Sequence, residues 1–156
     1  MELALQSSLF ETADRRHLGG GAWVEVRSGW LTDAESLFDE LMEQIPWRAE
    51  RRQMYERVLD VPRLVSFHNL VAEAAPHPRL KQMRRRLNDT YAGELGEPFT
   101  TAGLCLYRDG NDSVAWHGDL LVMGGSCQRT WEHAIPKTSR PVGPRISIQF
   151  RPHDVR

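Results

Sequence analysis

The residues of this sequence best suited to bind a metal ion are His117 and Asp119, separated by one glycine, and His133 sixteen residues further on. The segment Ser113–Asp119 is predicted to be a strand, and side chains two positions apart on a strand project from the same face. Two histidines and one carboxylate form the facial triad of non-haem Fe(II) oxygenases. A short His-x-Asp motif also occurs by chance, so a surface histidine beside an aspartate is the alternative.

A second chemical pattern lies in the segment Arg145–Arg151, where polar and apolar residues alternate. Alternation predicts a strand with one polar face, formed by Arg145, Ser147, Gln149 and Arg151. Two guanidinium groups on one face can each hold a carboxylate through paired hydrogen bonds, and a dicarboxylate such as 2-oxoglutarate fits that chemistry. A half-buried strand with a charged outer face is the alternative.

A tyrosine, Tyr107, precedes the sequence Arg108-Asp109-Gly110, and Asp-Gly is typical of a hairpin turn. Such a turn would set the strand of Tyr107 beside the strand of His117. A phenol in that place can donate a hydrogen bond to a bound carboxylate. Tyr107 can also be an aromatic residue that simply favours a strand.

Together these segments resemble a known family, the AlkB-type Fe(II)/2-oxoglutarate dioxygenases. The resemblance rests on Tyr107–Gly110, His117–Asp119, His133 and Arg145–Arg151, and it extends from about Trp47 to Arg151. Members of this family have a double-stranded β-helix (jelly-roll) core and oxidatively remove alkyl groups from nucleobases. The combined pattern is specific, although each of its pieces alone is not.

The resemblance implies the cofactors and the residues that hold them. Fe(II) is expected to be bound by three ligands: His117, Asp119 and His133. The co-substrate 2-oxoglutarate is expected to meet three further residues, with Tyr107 and Arg145 at its distal carboxylate and Arg151 near its iron-side end.

The resemblance also implies a nucleic-acid substrate. The stretch Val61–Leu64 resembles the family's nucleotide-recognition region, which makes Arg63 and its basic neighbours candidates for substrate contact. The expected partner is alkylated DNA or RNA, single-stranded or with the base flipped out, because a base inside the stack cannot be reached. Two alternatives remain: the same chemistry on a substrate other than nucleic acid, and an inactive nucleic-acid-binding relative.

Two departures from the family pattern concern these sites. Cys105 stands where the family often has asparagine, and a thiol is a poor replacement for an amide donor. The second departure is the short spacing from His117 to His133, where family members have several tens of residues. Three explanations of this short spacing remain: an in-frame deletion, a printed sequence that omits an internal segment, or a shortened relative with a rebuilt sheet. If the join follows Trp116, His117 and Asp119 belong to a different strand and the family's own ligands are missing.

The elements that must position these residues can be predicted from periodicity. Helices are expected at about Asp33–Ile45 and Arg79–Tyr91. Strands are expected at Ala22–Val26, Ala102–Tyr107, Ser113–Asp119, Leu120–Met123 and Arg145–Phe150. This order, helices before strands, predicts an α+β fold whose jelly-roll core is buttressed by N-terminal helices and lacks several central sheet residues.

Two apolar helix faces accompany these predictions. The first helix would bury Ala34, Leu37, Phe38, Leu41, Met42 and Ile45, and the second would bury Leu80, Met83, Leu87 and Tyr91. The arginine-rich stretch between the helices, 48–66, and the basic outer face of the second helix are most simply explained as solvated surface.

Length and composition set the remaining expectations. The 156 residues, with a net charge of −1, predict a single domain over 1–156, of which 1–21 is peripheral. There is no overall positive field that would indicate nucleic acid, so such contact would need a local patch. The start of the chain lacks the features of a signal peptide, no apolar run has the length of a membrane span, and the two cysteines suit a reducing compartment. We therefore expect a cytoplasmic monomer.

Overall fold

The computed structural model describes residues 12–54, 56–108, 118–132 and 143–152. The chain divides into two compact units, one formed by residues 1–37 and 115–134 and the other by residues 38–114 and 135–156. Each unit contains one antiparallel sheet. The predicted single domain stays a prediction.

The first unit contains a three-stranded sheet in the order β1-β2-β6. Its strands are β1 (Thr12–Gly19), β2 (Ala22–Ser28) and β6 (Leu120–Gly125), and a short helix, α3 (Cys127–Thr130), follows the last strand. Strand β1 lies within the segment predicted to be peripheral and is an outer strand of this sheet. The strands predicted at Ala22–Val26 and Leu120–Met123 are confirmed, each with two further residues.

One face of this sheet is organised around Trp23. The Trp23 ring lies over Gly124, its partner on β6, where a Cβ atom would overlap the ring. The guanidinium of Arg15 stacks 3.7 Å from the centre of the Trp23 ring and also binds Glu25 at 2.8 Å. Glu25 is buried, and a second guanidinium, that of Arg27, binds it at 2.9 Å. A buried carboxylate therefore has two cationic partners, as burial of a charge requires.

Two longer helices confirm the predicted helices. Helix α1 covers Ala34–Gln44 and helix α2 covers Pro78–Leu95. All four residues predicted for the buried face of α2 are buried, whereas Met42, predicted for the buried face of α1, is exposed. Helix α2 is longer than predicted because its backbone continues to Gly96, whose left-handed conformation ends it.

The second unit contains a four-stranded sheet in the order β3-β4-β5-β7. Its strands are β3 (Arg48–Met54), β4 (Arg57–Asn69), β5 (Thr101–Tyr107) and β7 (Arg145–Arg151). Helix α2 is joined to the loop before β5 by Arg84 and Asn88, which both donate to the carbonyl oxygen of Phe99. These bonds fix the start of β5, the strand that leads to Tyr107.

Three predictions about secondary structure are wrong. Strands do not follow the helices, because β1 and β2 precede α1, and β3 and β4 lie between α1 and α2. The stretch 48–66 is not only solvated surface, because it forms most of the hairpin between Arg48–Met54 and Arg57–Asn69. Residues 118 and 119 are not in a strand, because Gly118 has a φ of +74°.

The mixture of helices and antiparallel sheets is compatible with the predicted α+β class, while the jelly roll stays a prediction. Across the described ranges, every helix is too short or too polar to cross a lipid bilayer.

Candidate active site

The predicted co-substrate residues Tyr107 and Arg145 lie side by side in the four-stranded sheet. They are register partners on β5 and β7. The guanidinium carbon of Arg145 lies 4.6 Å from the centre of the Tyr107 ring, which is within the range of a cation–π contact. Tyr107 itself is buried. The structure thus brings these two residues together, and their role at a co-substrate site stays a prediction.

Arg63 lies on the opposite side of Tyr107, on strand β4. Its neighbour Leu64 pairs with Leu106, which sets Arg63 beside Tyr107. Arg63 donates from Nη1 to the Tyr107 hydroxyl oxygen over 3.4 Å. We call Arg63, Tyr107 and Arg145 the arginine–tyrosine cluster. Its two cationic side chains come from two different strands and flank one phenol on the strand between them.

Electrostatics in the cluster keep Arg63 charged. Burial, the largest influence, lowers the pKa of Arg63, but Cys105, the Tyr107 hydroxyl and Glu50 together outweigh it and raise that pKa overall. The pKa of Cys105 is also raised, chiefly by burial, although Arg63 opposes this. The influence of Cys105 on Arg63 is that of its thiolate, which forms only at alkaline pH. At neutral pH the cluster combines a charged guanidinium with a neutral thiol.

Arg63 has a buried donor without an acceptor in the part of the chain that the structure describes. The Nε atom of Arg63 is buried and has no hydrogen-bond partner among the described residues. An unsatisfied buried donor costs about 1–3 kcal/mol, and more when the group is charged. A carboxylate supplies the matching acceptors, because its two oxygens can meet the fork of a guanidinium. The residues present therefore fit the carboxylate of a co-substrate such as 2-oxoglutarate.

Arg151 shares the polar face of β7 but lies at the other end of the strand. It pairs with Thr101, and its guanidinium donates to the Gln149 side chain over 3.0 Å. It lies six positions beyond Arg145, which is about 20 Å along a strand. The structure thus brings Tyr107 and Arg145 together but does not bring Arg151 into the cluster, and its predicted role stays a prediction.

Of the predicted iron ligands, Asp119 is described and belongs to the first unit. Its Oδ1 atom accepts a hydrogen bond of 2.9 Å from the backbone N–H of Gly29. His117 and His133 lie outside the described residues. Within the ranges that are described, no three His, Cys, Asp or Glu side chains are grouped so as to hold a metal ion. The predicted triad therefore stays a prediction.

The backbone at Gly118 explains how Asp119 is held. Gly118 accepts a hydrogen bond of 2.9 Å from the backbone N–H of Leu31. A Cβ atom at position 118 would lie 2.7 Å from the carbonyl oxygen of Leu31. Only glycine suits this place, because it combines a left-handed backbone with close approach of another chain segment. The bend, rather than strand alternation, therefore sets the position of Asp119.

Sequence reasoning missed the contact between Arg63 and Tyr107 and the influence of Glu50. The contact depends on the pairing of β4 with β5, and the influence of Glu50 depends on the hairpin of β3 and β4, which the many arginines conceal in the sequence. The valines and leucines of β4, among them Val61, Leu64 and Val65, are a weak indication of that strand. The pairing of Leu64 with Leu106 cannot be read from one sequence.

Comparison with known proteins identifies similar chains at low identity. No family model matches this sequence. The chain is 22% identical over 181 aligned positions to "Alpha-ketoglutarate-dependent dioxygenase alkB homolog 3" of Bos taurus, with 78% of this chain and 62% of that protein covered. The human protein of the same name is 21% identical with the same coverage. This chain thus spans less than two thirds of the length of these relatives.

A shorter match has higher identity. Over 35 residues, 22% of this chain and 11% of the relative, the sequence is 51% identical to "DNA oxidative demethylase ALKBH2" of Arabidopsis thaliana.

The longer alignment, with AlkB homolog 3, also shows a difference in length. Because 78% of 156 residues is about 122, about 59 of its 181 positions face gaps in this chain. Weak homology thus supports an AlkB-like dioxygenase family for this chain, without indicating a particular member.

Proposed function

We propose that this chain is an Fe(II)- and 2-oxoglutarate-dependent dioxygenase that removes alkyl groups from bases of DNA or RNA. The observation that carries the proposal is the arginine–tyrosine cluster. Its residues Tyr107 and Arg145 belong to the two segments that resemble the co-substrate site of AlkB-type enzymes. The similarity to proteins named as dioxygenases and as a DNA demethylase supports the same reaction class.

In this proposal the cluster holds the distal carboxylate of 2-oxoglutarate. Arg145 offers the planar fork of donors that matches a carboxylate, and the phenol of Tyr107 donates a further hydrogen bond. The Tyr107 hydroxyl already accepts from Arg63, so its own proton remains for donation to the co-substrate. Arg151 is proposed to act near the iron-side end of the same molecule.

Fe(II) would be held by His117, Asp119 and His133. The backbone N–H of Gly29 binds one oxygen of Asp119 and orients the carboxylate, while the other oxygen can meet a cation. When bound, the metal and 2-oxoglutarate supply the oxidation: one oxygen atom of O2 enters succinate, formed with CO2, and the other hydroxylates the alkyl carbon, which then leaves the base as an aldehyde. The target base must lie outside the stack for this chemistry.

The experiment measures succinate and aldehyde together. Purified full-length chain with Fe(II), 2-oxoglutarate and O2 is incubated with a single-stranded oligonucleotide that carries methylated bases, and with the same oligonucleotide unmethylated. We expect equal amounts of succinate and formaldehyde, dependent on the methylated strand and lost in Arg145→Gln. Succinate formed without any dependence on the oligonucleotide would favour a substrate other than nucleic acid. No turnover of 2-oxoglutarate would refute the proposal.

An inactive nucleic-acid-binding relative is the second candidate. The observation that favours it is the short spacing from His117 to His133, together with the gaps that this chain shows against AlkB homolog 3. Metal content separates the two candidates. The dioxygenase should bind about one Fe(II) or Mn(II) per chain, because its triad forms one site. The inactive relative should bind none and still retain a methylated oligonucleotide with steep dependence on salt.

A further inference from the structure

We infer that Arg63 binds the distal carboxylate of 2-oxoglutarate together with Tyr107 and Arg145, rather than contacting the nucleic acid. This inference rests on the proposed function and deepens it. Arg63 lies outside the two segments, those of Tyr107 and Arg145, that resemble the co-substrate site of the family. The sequence predicts Arg63 as a contact of the nucleic-acid substrate, and the inference assigns it to the co-substrate instead.

The position of Arg63 is the first argument. Tyr107 lies on β5, between β7, which carries Arg145, and β4, which carries Arg63. Both arginines reach the same phenol, Arg63 at its hydroxyl and Arg145 at its ring. A carboxylate that accepts from the Tyr107 hydroxyl therefore comes within reach of both guanidinium groups.

The donors of Arg63 are the second argument. Nη1 donates to Tyr107, and the buried Nε has no acceptor among the residues that the structure describes. An acceptor placed beside Nε would satisfy that donor without breaking the bond to Tyr107. A carboxylate oxygen is the acceptor that gains most here, because hydrogen bonds between two charged groups are about twice as strong as neutral ones.

Charge is the third argument. The arginines bring two positive charges to one phenol, and the buried thiol of Cys105 stays neutral because burial raises its pKa. Among the described residues that act on Arg63, Glu50 is the one carboxylate, and it offsets part of this charge. A single anionic group of the co-substrate fits the charge that remains.

The test compares two ligands that differ only at the distal carboxylate. 2-Oxobutyrate retains the keto acid of 2-oxoglutarate but lacks that carboxylate. Calorimetry with the Mn(II)-treated full-length chain gives the Kd of each ligand for the wild type, Arg63→Gln, Arg63→Lys and Arg85→Gln. Arg85 is an exposed arginine of α2 and serves as the matched control.

We expect Arg63→Gln to weaken 2-oxoglutarate binding by about 10-fold to 100-fold, the loss of one charged hydrogen-bond partner. Binding of 2-oxobutyrate should change by less than about threefold, since the lost partner is absent from it. Arg63→Lys, which keeps the charge but not the fork, should lie between, and Arg85→Gln should match the wild type. A general disturbance of the fold would weaken both ligands alike and would contradict the inference.

Two further outcomes separate this inference from the proposed function. If the wild type binds 2-oxoglutarate and Arg63→Gln binds it equally well but holds a methylated oligonucleotide less tightly, Arg63 contacts the substrate and the inference alone is wrong. If the wild type binds no 2-oxoglutarate, the proposed function fails and the inference fails with it.

Discussion

Replacing Gly118 by alanine should destabilise the protein and disturb the carboxylate of Asp119 beside it. Gly118 has a φ of +74°, a conformation that L-residues rarely adopt. The new Cβ atom would also lie 2.7 Å from the carbonyl oxygen of Leu31, and 3.3 Å from Cβ of Ala34. Because the nearest atom belongs to the backbone, it cannot rotate away as a flexible side chain would.

The expected cost has two parts. A left-handed conformation costs an L-residue about 1–2 kcal/mol. Relief of the overlap with Leu31 requires a backbone shift, and overpacking of this kind costs about 1–3 kcal/mol. The shift would also lengthen the hydrogen bond from Leu31 to Gly118. Since one movement partly relieves both strains, we expect the free energy of unfolding to fall by about 2–4 kcal/mol.

Urea denaturation followed by tryptophan fluorescence measures this change. Gly93→Ala is the matched control, because Gly93 lies in helix α2 and a Cβ atom there would meet nothing within 4 Å. That variant should gain about 0.5–1 kcal/mol through helix propensity. If Gly118→Ala unfolds at the wild-type urea concentration, the bend at Gly118 is not required and the account of how Asp119 is held is wrong.

Three further predictions follow from single contacts. Asp119→Asn retains the acceptor for the Gly29 N–H but not the negative charge, so this variant should keep the urea midpoint of the wild type and lose the bound metal. Asp119→Ala removes the acceptor as well, so it should also lose about 1 kcal/mol of stability. Gly124→Ala should cost about 1–3 kcal/mol, because its Cβ atom would overlap the Trp23 ring; an unchanged urea midpoint would contradict that packing. Burial lowers the pKa of His68, so the unfolded chain binds its proton first and stability should fall as the pH drops below about 6.5. In His68→Gln this part of the pH dependence should be absent, and an unaltered profile would show that His68 does not cause it.

Periodic patterns in the sequence predict several of these elements correctly. The apolar residues of α2, from Leu80 to Tyr91, recur at helical spacing and are all buried. The strict alternation in Arg145–Arg151 predicts the strand and its polar face, and its register with β5 agrees. In both segments local pattern and final packing coincide, so one sequence was enough to identify the element.

Patterns that depend on distant partners could not be predicted in this way. The hairpin of β3 and β4 carries five arginines, and the apolar residues of β4 do not alternate strictly, so periodicity does not identify this strand. The contact of Arg63 with Tyr107 requires the register between β4 and β5, which joins residues more than forty positions apart. The bend at Gly118 depends on the carbonyl oxygen of Leu31, so alternation alone gave an extended strand in its place.

A structure of the chain in complex with Mn(II) and 2-oxoglutarate would show whether the arginine–tyrosine cluster binds the co-substrate. We expect the distal carboxylate of the ligand within hydrogen-bonding distance of the Tyr107 hydroxyl and of both Arg63 and Arg145. A ligand bound elsewhere, or a carboxylate that touches neither arginine, would contradict the assignment of the arginine–tyrosine cluster as the co-substrate site.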